Sequence, residues 1–364
     1  MNRIHTFAAL AAVAMMAAGT AASARELRLA PGGPPAHPAY YMYEHFAENI
    51  AENSGGAMTG LILGPEVVSL PQMKDALQTG LVDAGNVLPL YFPADMEVTG
   101  IAGDLALIGR NPHAMAMAMT EYGMTCEPCQ EEFKKLGMVF LGAGSSNVYN
   151  LITTRPVRTA DDLKGMRLRT GGAPYSRWAE HFGATPVNIG VGETFEAMSQ
   201  GTIDGTMAST VDLLSFRLID IAKDVTIVPI GTYHVTSNFT AGLNTWRSLS
   251  TKEREEIGMA AARANFDLTD RWAFQLPSAA NEALAKTDIE VIEPDPAFLE
   301  ASEAFAAEDV AARTALSGEE AVYFTELVEK WTAVVEEVGN DPDALARRMI
   351  DDVWSKIDFS TYGM

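Results

Sequence analysis

Positive charge is scarce in this chain. Its 26 lysines and arginines stand against 48 aspartates and glutamates, a formal net charge of −22. Such a surface repels phosphate backbones and anionic lipid, which argues against nucleic acid and acidic membranes as partners. An anionic ligand must then be captured locally, by a few aimed cations and N–H groups. Cysteine is scarcer still, with two residues in Cys126-Glu127-Pro128-Cys129. A zinc site needs more ligands than this pair offers. A thioredoxin-like dithiol needs a strand ahead of the motif, whereas Ala114 to Met124 reads as helix. The chain also lacks G-x-S-x-G, H-E-x-x-H and P-loop motifs. Its six histidines are scattered, among them His113 at a helix start, His181 on a helix, and His37 and His234 in loops near strand ends. No nucleophile–base arrangement stands out, and no cofactor or metal is expected.

Long apolar runs are missing beyond the N-terminus, so no membrane insertion is expected. The one near the start, Phe7 to Ala22, follows Arg3 and ends in Ala22-Ser23-Ala24. It is too short for a membrane span and reads as a secretory signal peptide over 1–24. The mature protein is then exported, with the periplasm as its expected place. In that compartment Cys126 and Cys129 are expected to form a short-loop disulfide.

The rest of the chain alternates strand and helix patterns. Glu26 to Ala30 reads as a strand, Tyr40 to Asn53 as a helix, Met58 to Leu63 as a strand, Leu70 to Thr79 as a helix, and Leu81 to Val87 as a strand. That order implies a parallel sheet with helical crossovers. Met138 to Gly142 and Asn147 to Thr153 read as further strands, the second suited to a crossing between lobes. Thr159 to Leu163 reads as a capped helical turn. An echo links the two halves: Ala76-Leu77-Gln78-Thr79-Gly80-Leu81-Val82-Asp83-Ala84 lines up with Ala197-Met198-Ser199-Gln200-Gly201-Thr202-Ile203-Asp204-Gly205. Each half ends a helix, stops at glycine and starts a strand at an aspartate. Ser250-Thr251-Lys252-Glu253 is a capping box that opens a long helical pattern, with Pro277 as an expected kink. Ile289 to Ile292 suits a returning strand, and the acidic remainder reads as helical.

The stretch from Lys164 to Ser209 organises the rest. Met166 to Thr170 alternates as a short strand, Gly171-Gly172-Ala173-Pro174 breaks it, and a helix follows. Arg167 and Arg169 thus sit near the C-terminal end of a strand, just before a helix N-terminus. Ligands of open α/β sheets bind outside such strand ends, and a guanidinium there suits a carboxylate. Both arginines are therefore candidates for an anion site.

Leu163-Lys164-Gly165-Met166-Arg167-Leu168-Arg169, Phe182-Gly183-Ala184-Thr185-Pro186 and the run from Glu193 to Gly205 together resemble the DctP-type solute receptors of TRAP transporters. The resemblance extends from Leu27 through Asn244 to Leu249. It implies an α/β, two-lobed periplasmic binding protein fold, with a long helix spanning both lobes. Lobe 1 is then expected at 25–136 and lobe 2 at 137–249, with a strand crossing to lobe 1. Residues 250–364 are expected to supply the spanning helix and C-terminal helices. The implied function is capture of a small organic acid between the lobes and delivery to the small and large subunits of a sodium-coupled membrane permease. An exported α/β enzyme acting on an organic acid and a ligand-sensing module remain as alternatives.

The same resemblance assigns Arg169 to the position that clamps the ligand carboxylate, and Arg167 to a commonly basic position beside it. Where the family often has Gln-Glu-Asn-Pro after Asp204-Gly205, this chain has Thr206-Met207-Ala208-Ser209. Ser209 or Asp212 is the candidate replacement for the missing asparagine, and Met207 suggests an apolar wall. In the first lobe the candidates are His37, Tyr40, Glu66 and Asn86, all on or beside loops after strands. Tyr233 and Asn238 fall where the last strand of the second lobe is expected to meet the cleft.

Overall fold

A computed structural model describes residues 24–364. The apolar run and all but the last residue of the expected signal peptide lie outside them. The strands, in chain order, are β1 (Arg25–Ala30), β2 (Met58–Ile62), β3 (Ala84–Val87), β4 (Met138–Phe140), β5 (Asn150–Thr153), β6 (Arg167–Arg169), β7 (Thr185–Val187), β8 (Gly205–Ala208), β9 (Asp224–Thr226), β10 (Ser237–Gly242) and β11 (Glu290–Ile292). They form two sheets, ordered β2-β1-β3-β10-β4 and β11-β9-β5-β8-β6-β7. Each sheet anchors one lobe.

The two lobes repeat one construction. In the first, β1 runs parallel to β2 and β3. In the second, β6 runs parallel to β7 and β8. Helices Met73–Thr79 and Thr194–Ser199 lead into β3 and β8. Gly80 (φ 72°) and Gly201 (φ 66°) follow them in the left-handed region that a side chain disfavours. The sequence echo falls on these turns, and both copies carry the same strap. Arg28 gives its backbone N–H (2.8 Å), Nε (2.9 Å) and Nη2 (3.2 Å) to Asp83. Arg167 gives its N–H (2.8 Å), Nε (3.1 Å) and Nη2 (2.9 Å) to Asp204. In each lobe the strap ties the central strand, two residues before its last, to the turn before its parallel neighbour.

The boundary expected at Gly137 is corrected by the pairing. β4 lies antiparallel to β10 in the first sheet, not the second. Met138, Val139 and Phe140 are buried in the first lobe's apolar cluster with Phe133, so tertiary packing rather than chain order assigns the strand. The chain crosses to the second lobe after Phe140 and returns before β10. The two crossing segments run side by side. Tyr149 N–H donates to Gly231 O (2.8 Å), Ile230 N–H to Tyr149 O (3.0 Å), and Ser146 N–H to Tyr233 O (2.9 Å). This ribbon joins the lobes and carries Tyr149 and Tyr233.

The third connection is helical. Ser250 and Glu253 form the expected capping box at the start of helix Thr251–Asp270. The helix passes through a π turn, Arg271–Gln275, into Leu276–Leu284. Pro277 has no N–H for the regular i→i−4 bond, and the wider turn just ahead of it keeps the helix continuous. Trp272 on that turn packs with the first lobe's core and Leu284 with the second's. Helices Pro296–Ser317 and Glu319–Val338 repeat the crossing, with Phe298 and Ala306 in the second lobe's core and Phe324 and Trp331 in the first's.

Cys126 and Cys129 form a disulfide, with Cα atoms 5.3 Å apart. It caps helix Glu127–Lys135, where Cys126 Sγ accepts from Cys129 N–H (3.2 Å). Both cysteines are buried in the first lobe's apolar cluster. Among the described residues, no helix is long and apolar enough to cross a membrane.

Candidate functional site

A cavity opens where the C-terminal ends of β1, β3, β6 and β8 meet the ribbon and the π turn. About 50 Å³ of it is open to the centre of a water molecule, room for a small molecule rather than a chain. The first lobe contributes His37, Leu70, Asn86, Leu88, Leu90 and Tyr91; the second contributes Arg169, Gly171, Val191, Asp212 and Phe216. Asn238 comes from β10 of the first sheet, and Tyr149, Tyr233, Leu268 and Trp272 come from the connections.

Arg169 ends β6, and its side chain is brought to the cavity with only 3 % of the residue exposed. Its Nε donates weakly to Ile189 O at 3.5 Å. Among the described residues, no acid lies within the 4.0 Å of an ion pair. A buried guanidinium without an acid partner costs free energy unless something else meets its donors. Gly171 runs beside the site: a Cβ there would make ordinary contacts, 3.4 Å from the Tyr149 ring and 3.6 Å from Arg169 Nη1.

Five further polar atoms in the wall find no partner among the described residues. They are Asn86 Oδ1, Asp212 Oδ1, Tyr233 Oη, Asn238 Oδ1 and Trp272 Nε1, all buried. Such groups are ordinarily hydrogen-bonded, and a cluster of exceptions marks a site built for something else to complete. His37 caps helix Pro38–Asn53 by accepting from Ala39 N–H at its Nδ1 (3.1 Å), which leaves Nε2 as the donor. Burial pushes its pKa down to about 4, so the ring is neutral at ordinary pH. Burial raises the phenols of Tyr149, Tyr175 and Tyr233, which stay neutral donors. Burial also pushes Asp212 up to about 7, with Arg169 and the Ser209 turn opposing. The remaining wall is aromatic and aliphatic. Tyr149 lies between Tyr175 (centroids 5.3 Å) and Tyr233 (6.4 Å), and His37 meets Trp272 edge-on at 4.7 Å. This arrangement suits a flat or compact apolar body with an anionic end.

Of the expected residues, the cavity brings together Arg169, His37, Asn86, Asp212, Tyr233 and Asn238. It excludes Arg167, whose guanidinium is held by Asp204 and Gly201 O at the outer end of β6. Alternation puts both arginines on one face, but two residues along a strand separate them by about 6.6 Å. Glu66 is exposed, and half-buried Tyr40 lies outside the lining. Ser209 is buried and caps its own turn by accepting from Val211 N–H (3.1 Å). Met207 belongs to the second lobe's core with Leu151, Leu168 and Trp178 rather than to the cavity wall. Tyr91, Tyr149, Phe216 and Trp272 were not legible as lining residues. The only hint was the strand pattern from Asn147 to Thr153 as a crossing.

The lobes also touch across the mouth. Val191 N–H donates to Tyr91 Oη (3.2 Å), and Ser215 Oγ donates to Ala36 O (3.3 Å). Arg177 pairs bidentately with Asp309 (2.6 and 2.8 Å) and reaches Asp104 Oδ1 (3.2 Å). A wider groove lies on that side, lined by Leu90, Glu97, Asp104, Gly172, Tyr175 and Arg177 among others, and it shares Leu90, Gly171 and Tyr233 with the cavity.

The model of the DctP family, described as "Bacterial extracellular solute-binding protein, family 7", matches residues 30–316. A curated "Solute-binding protein" of Chromohalobacter salexigens is 24% identical over 249 residues, which cover 66% of this chain and 70% of that protein. The crystal structure of a TRAP solute-binding protein from Rhodoferax ferrireducens, with copurified benzoate, matches with a TM-score of 0.75 at 18% identity, over 85% of this chain and 99% of that one. A TRAP periplasmic solute-binding protein from Bordetella bronchiseptica, with bound (R)- and (S)-mandelate, matches with a TM-score of 0.74 at 23% identity, again over 85% and 99%.

Proposed function

Since the chain belongs to the bacterial extracellular solute-binding proteins of family 7, we propose that it is an extracytoplasmic receptor that closes on a small monocarboxylic acid with a ring-sized apolar body. Its location is then the periplasm, after loss of the N-terminal signal. Its partner is a sodium-coupled membrane permease of one small and one large subunit. Arg169 is the anchor of the ligand's carboxylate. The observation that carries the reading is this buried guanidinium, which faces a small aromatic cavity and has no acid partner within 4.0 Å among the described residues.

A carboxylate docked there gains paired, charge-assisted hydrogen bonds and relieves the cost of the bare cation. One guanidinium suits one carboxylate, and a second carboxylate on the ligand would face Asp212. The aromatic wall supports a ring, as do the benzoate and mandelate held by two proteins of similar fold. Polar atoms from both lobes and from the ribbon would be completed by one ligand, so binding favours the closed arrangement.

A thermal-shift screen of benzoate, mandelate, pyroglutamate and short aliphatic dicarboxylates tests the reading. An acid at a hundred times its dissociation constant adds about 2.7 kcal/mol of stability, which moves the transition plainly. A ring-bearing monocarboxylate should give the largest shift. Stabilisation by none of these acids would overturn the reading, and turnover of a bound acid would favour an exported enzyme.

A further inference from the structure

Building on the carboxylate reading, we propose that the ligand anion binds together with one proton taken from solvent, and that Asp212 holds it. The argument starts from a charge count. Among the described residues that line the cavity, Arg169 and Asp212 are the only two with formally charged side chains at neutral pH. They are 3 % and 2 % exposed. They share the space without touching, since no ion pair within 4.0 Å joins them. With Asp212 ionised, the empty cavity is neutral. A monocarboxylate set on Arg169 would leave it with a net charge of about −1 in a small space walled by aromatic and aliphatic side chains, and a buried net charge is costly. The cheaper state has one of the two carboxyl groups protonated.

Asp212 is the group placed to take that proton. The ligand's carboxylate gains by staying ionised on the guanidinium, while among the described residues Asp212 has no ion-pair partner and its Oδ1 has no hydrogen-bond partner. Once protonated, Asp212 becomes a donor, and a ligand oxygen is then a partner it lacks in the empty protein. The other titratable groups facing the cavity are His37 at the start of helix Pro38–Asn53, Tyr91 after β3, and Tyr149 and Tyr233 on the ribbon. Burial raises the phenols of Tyr149 and Tyr233, which already carry their protons. His37 is the rival acceptor, but its Nδ1 is engaged by Ala39 N–H, and a second positive charge at that buried ring is disfavoured. Burial has already moved Asp212 to about 7 in the empty protein, and a neighbouring anion moves it further up.

The sign follows from linkage. A group whose pKa is higher in the complex than in the free protein favours binding most below the free value. Affinity should thus be flat below about pH 7 and fall by up to about tenfold per pH unit above it, until the bound value is reached. The site would then favour monocarboxylates over acids of higher charge.

Calorimetry with benzoate and with mandelate at pH 8, in phosphate and in Tris, reads the proton directly. The two buffers have different ionisation heats, so the difference in apparent enthalpy counts protons. The full-length mature wild type should take up close to about one proton per ligand. Asp212→Asn, which mimics the protonated carboxyl, should take up none and bind equally at pH 6 and pH 9. No uptake by the wild type would overturn the proposal without any variant being needed. Uptake that persists in Asp212→Asn and disappears in His37→Gln would overturn it in favour of the histidine. Binding without uptake leaves the carboxylate reading standing, whereas failure of every acid in the screen to bind would overturn both.

Discussion

The two lobes are the same unit built twice, and they differ where function is expected. Both carry a central strand flanked by parallel partners, a glycine-stopped helix, and an arginine–aspartate strap of nearly equal geometry. Along the paired registers, Leu29 faces Ala84 as Leu168 faces Gly205, and Ala30 faces Gly85 as Arg169 faces Thr206. Arg28 and Arg167 are thus counterparts, but the counterpart of Arg169 in the first lobe is Ala30. A residue that both copies share serves the construction. A buried cation that one copy has and the other lacks serves something outside the construction. Sequence alternation treated Arg167 and Arg169 alike, and the repeat separates them.

The largest effect should come from the unshared residue. Arg169→Ala should weaken binding of the best acid by roughly 30-fold to several thousand-fold, since truncating one partner of a desolvated pair typically costs about 2–5 kcal/mol. Arg169→Lys should also be poor, because an ammonium cannot reproduce the planar fork. Calorimetry reads both. An unchanged dissociation constant in Arg169→Ala would break the assignment.

Tyr233→Phe should have a smaller effect with two signs. Its buried hydroxyl lacks a partner in the empty protein. Removing it should raise the melting temperature without ligand, and should weaken binding by about 5- to 30-fold if a ligand completes it, corresponding to about 1–2 kcal/mol. A lower melting temperature in the empty protein would show that the hydroxyl is satisfied in solution.

The straps should lie below that. Asp83→Asn and Asp204→Asn should each cost about 1 kcal/mol of stability or less, discounted because Arg28 and Arg167 are about two-fifths exposed. Neither change should alter ligand affinity more than about twofold. The hydrogen bonds of Arg167 hold Asp204 below the usual carboxylate range. Those of Arg28 do the same for Asp83, where they outweigh burial. A depressed folded pKa gives stability that is present above the unfolded value, near 3.9, and is lost as pH falls through the folded one. The wild type and the two variants should therefore converge in stability below about pH 4. A strap variant that loses binding would contradict the division between shared and unshared residues.

Smallest of all should be the effect on binding of replacing both Cys126 and Cys129 with serine. Their disulfide caps a helix away from the cavity. Free-thiol titration of the wild type without reductant should find none, and two reactive thiols would count against the pairing.

Much of the fold was legible because it rests on local chemistry. Leu27 and Leu29 alternate with more polar neighbours toward a core, Gly80 and Gly201 stop helices, and Ser250 with Glu253 caps one. The crossing near Asn147 to Thr153 was readable for the same reason. The sheet that receives Met138 to Phe140 was not, because an apolar strand carries no mark of its partner. The site was half legible. Arg169, His37, Asn86 and Asp212 are polar residues near strand ends, and such residues can be suspected from position. Trp272 and Phe216 are aromatic residues whose spacing fits a core equally well. Only the π turn and the meeting of the lobes bring them to the cavity.

The most direct test is a crystal structure of the protein with its tightest-binding acid from the screen. The account predicts the carboxylate in bidentate contact with Arg169, about 2.7–2.9 Å from the guanidinium nitrogens, with the ligand's body against Tyr149, Tyr233 and Trp272. A carboxylate on Arg177 in the outer groove, or at the Gly172 end of its helix with Arg169 left bare, would contradict it.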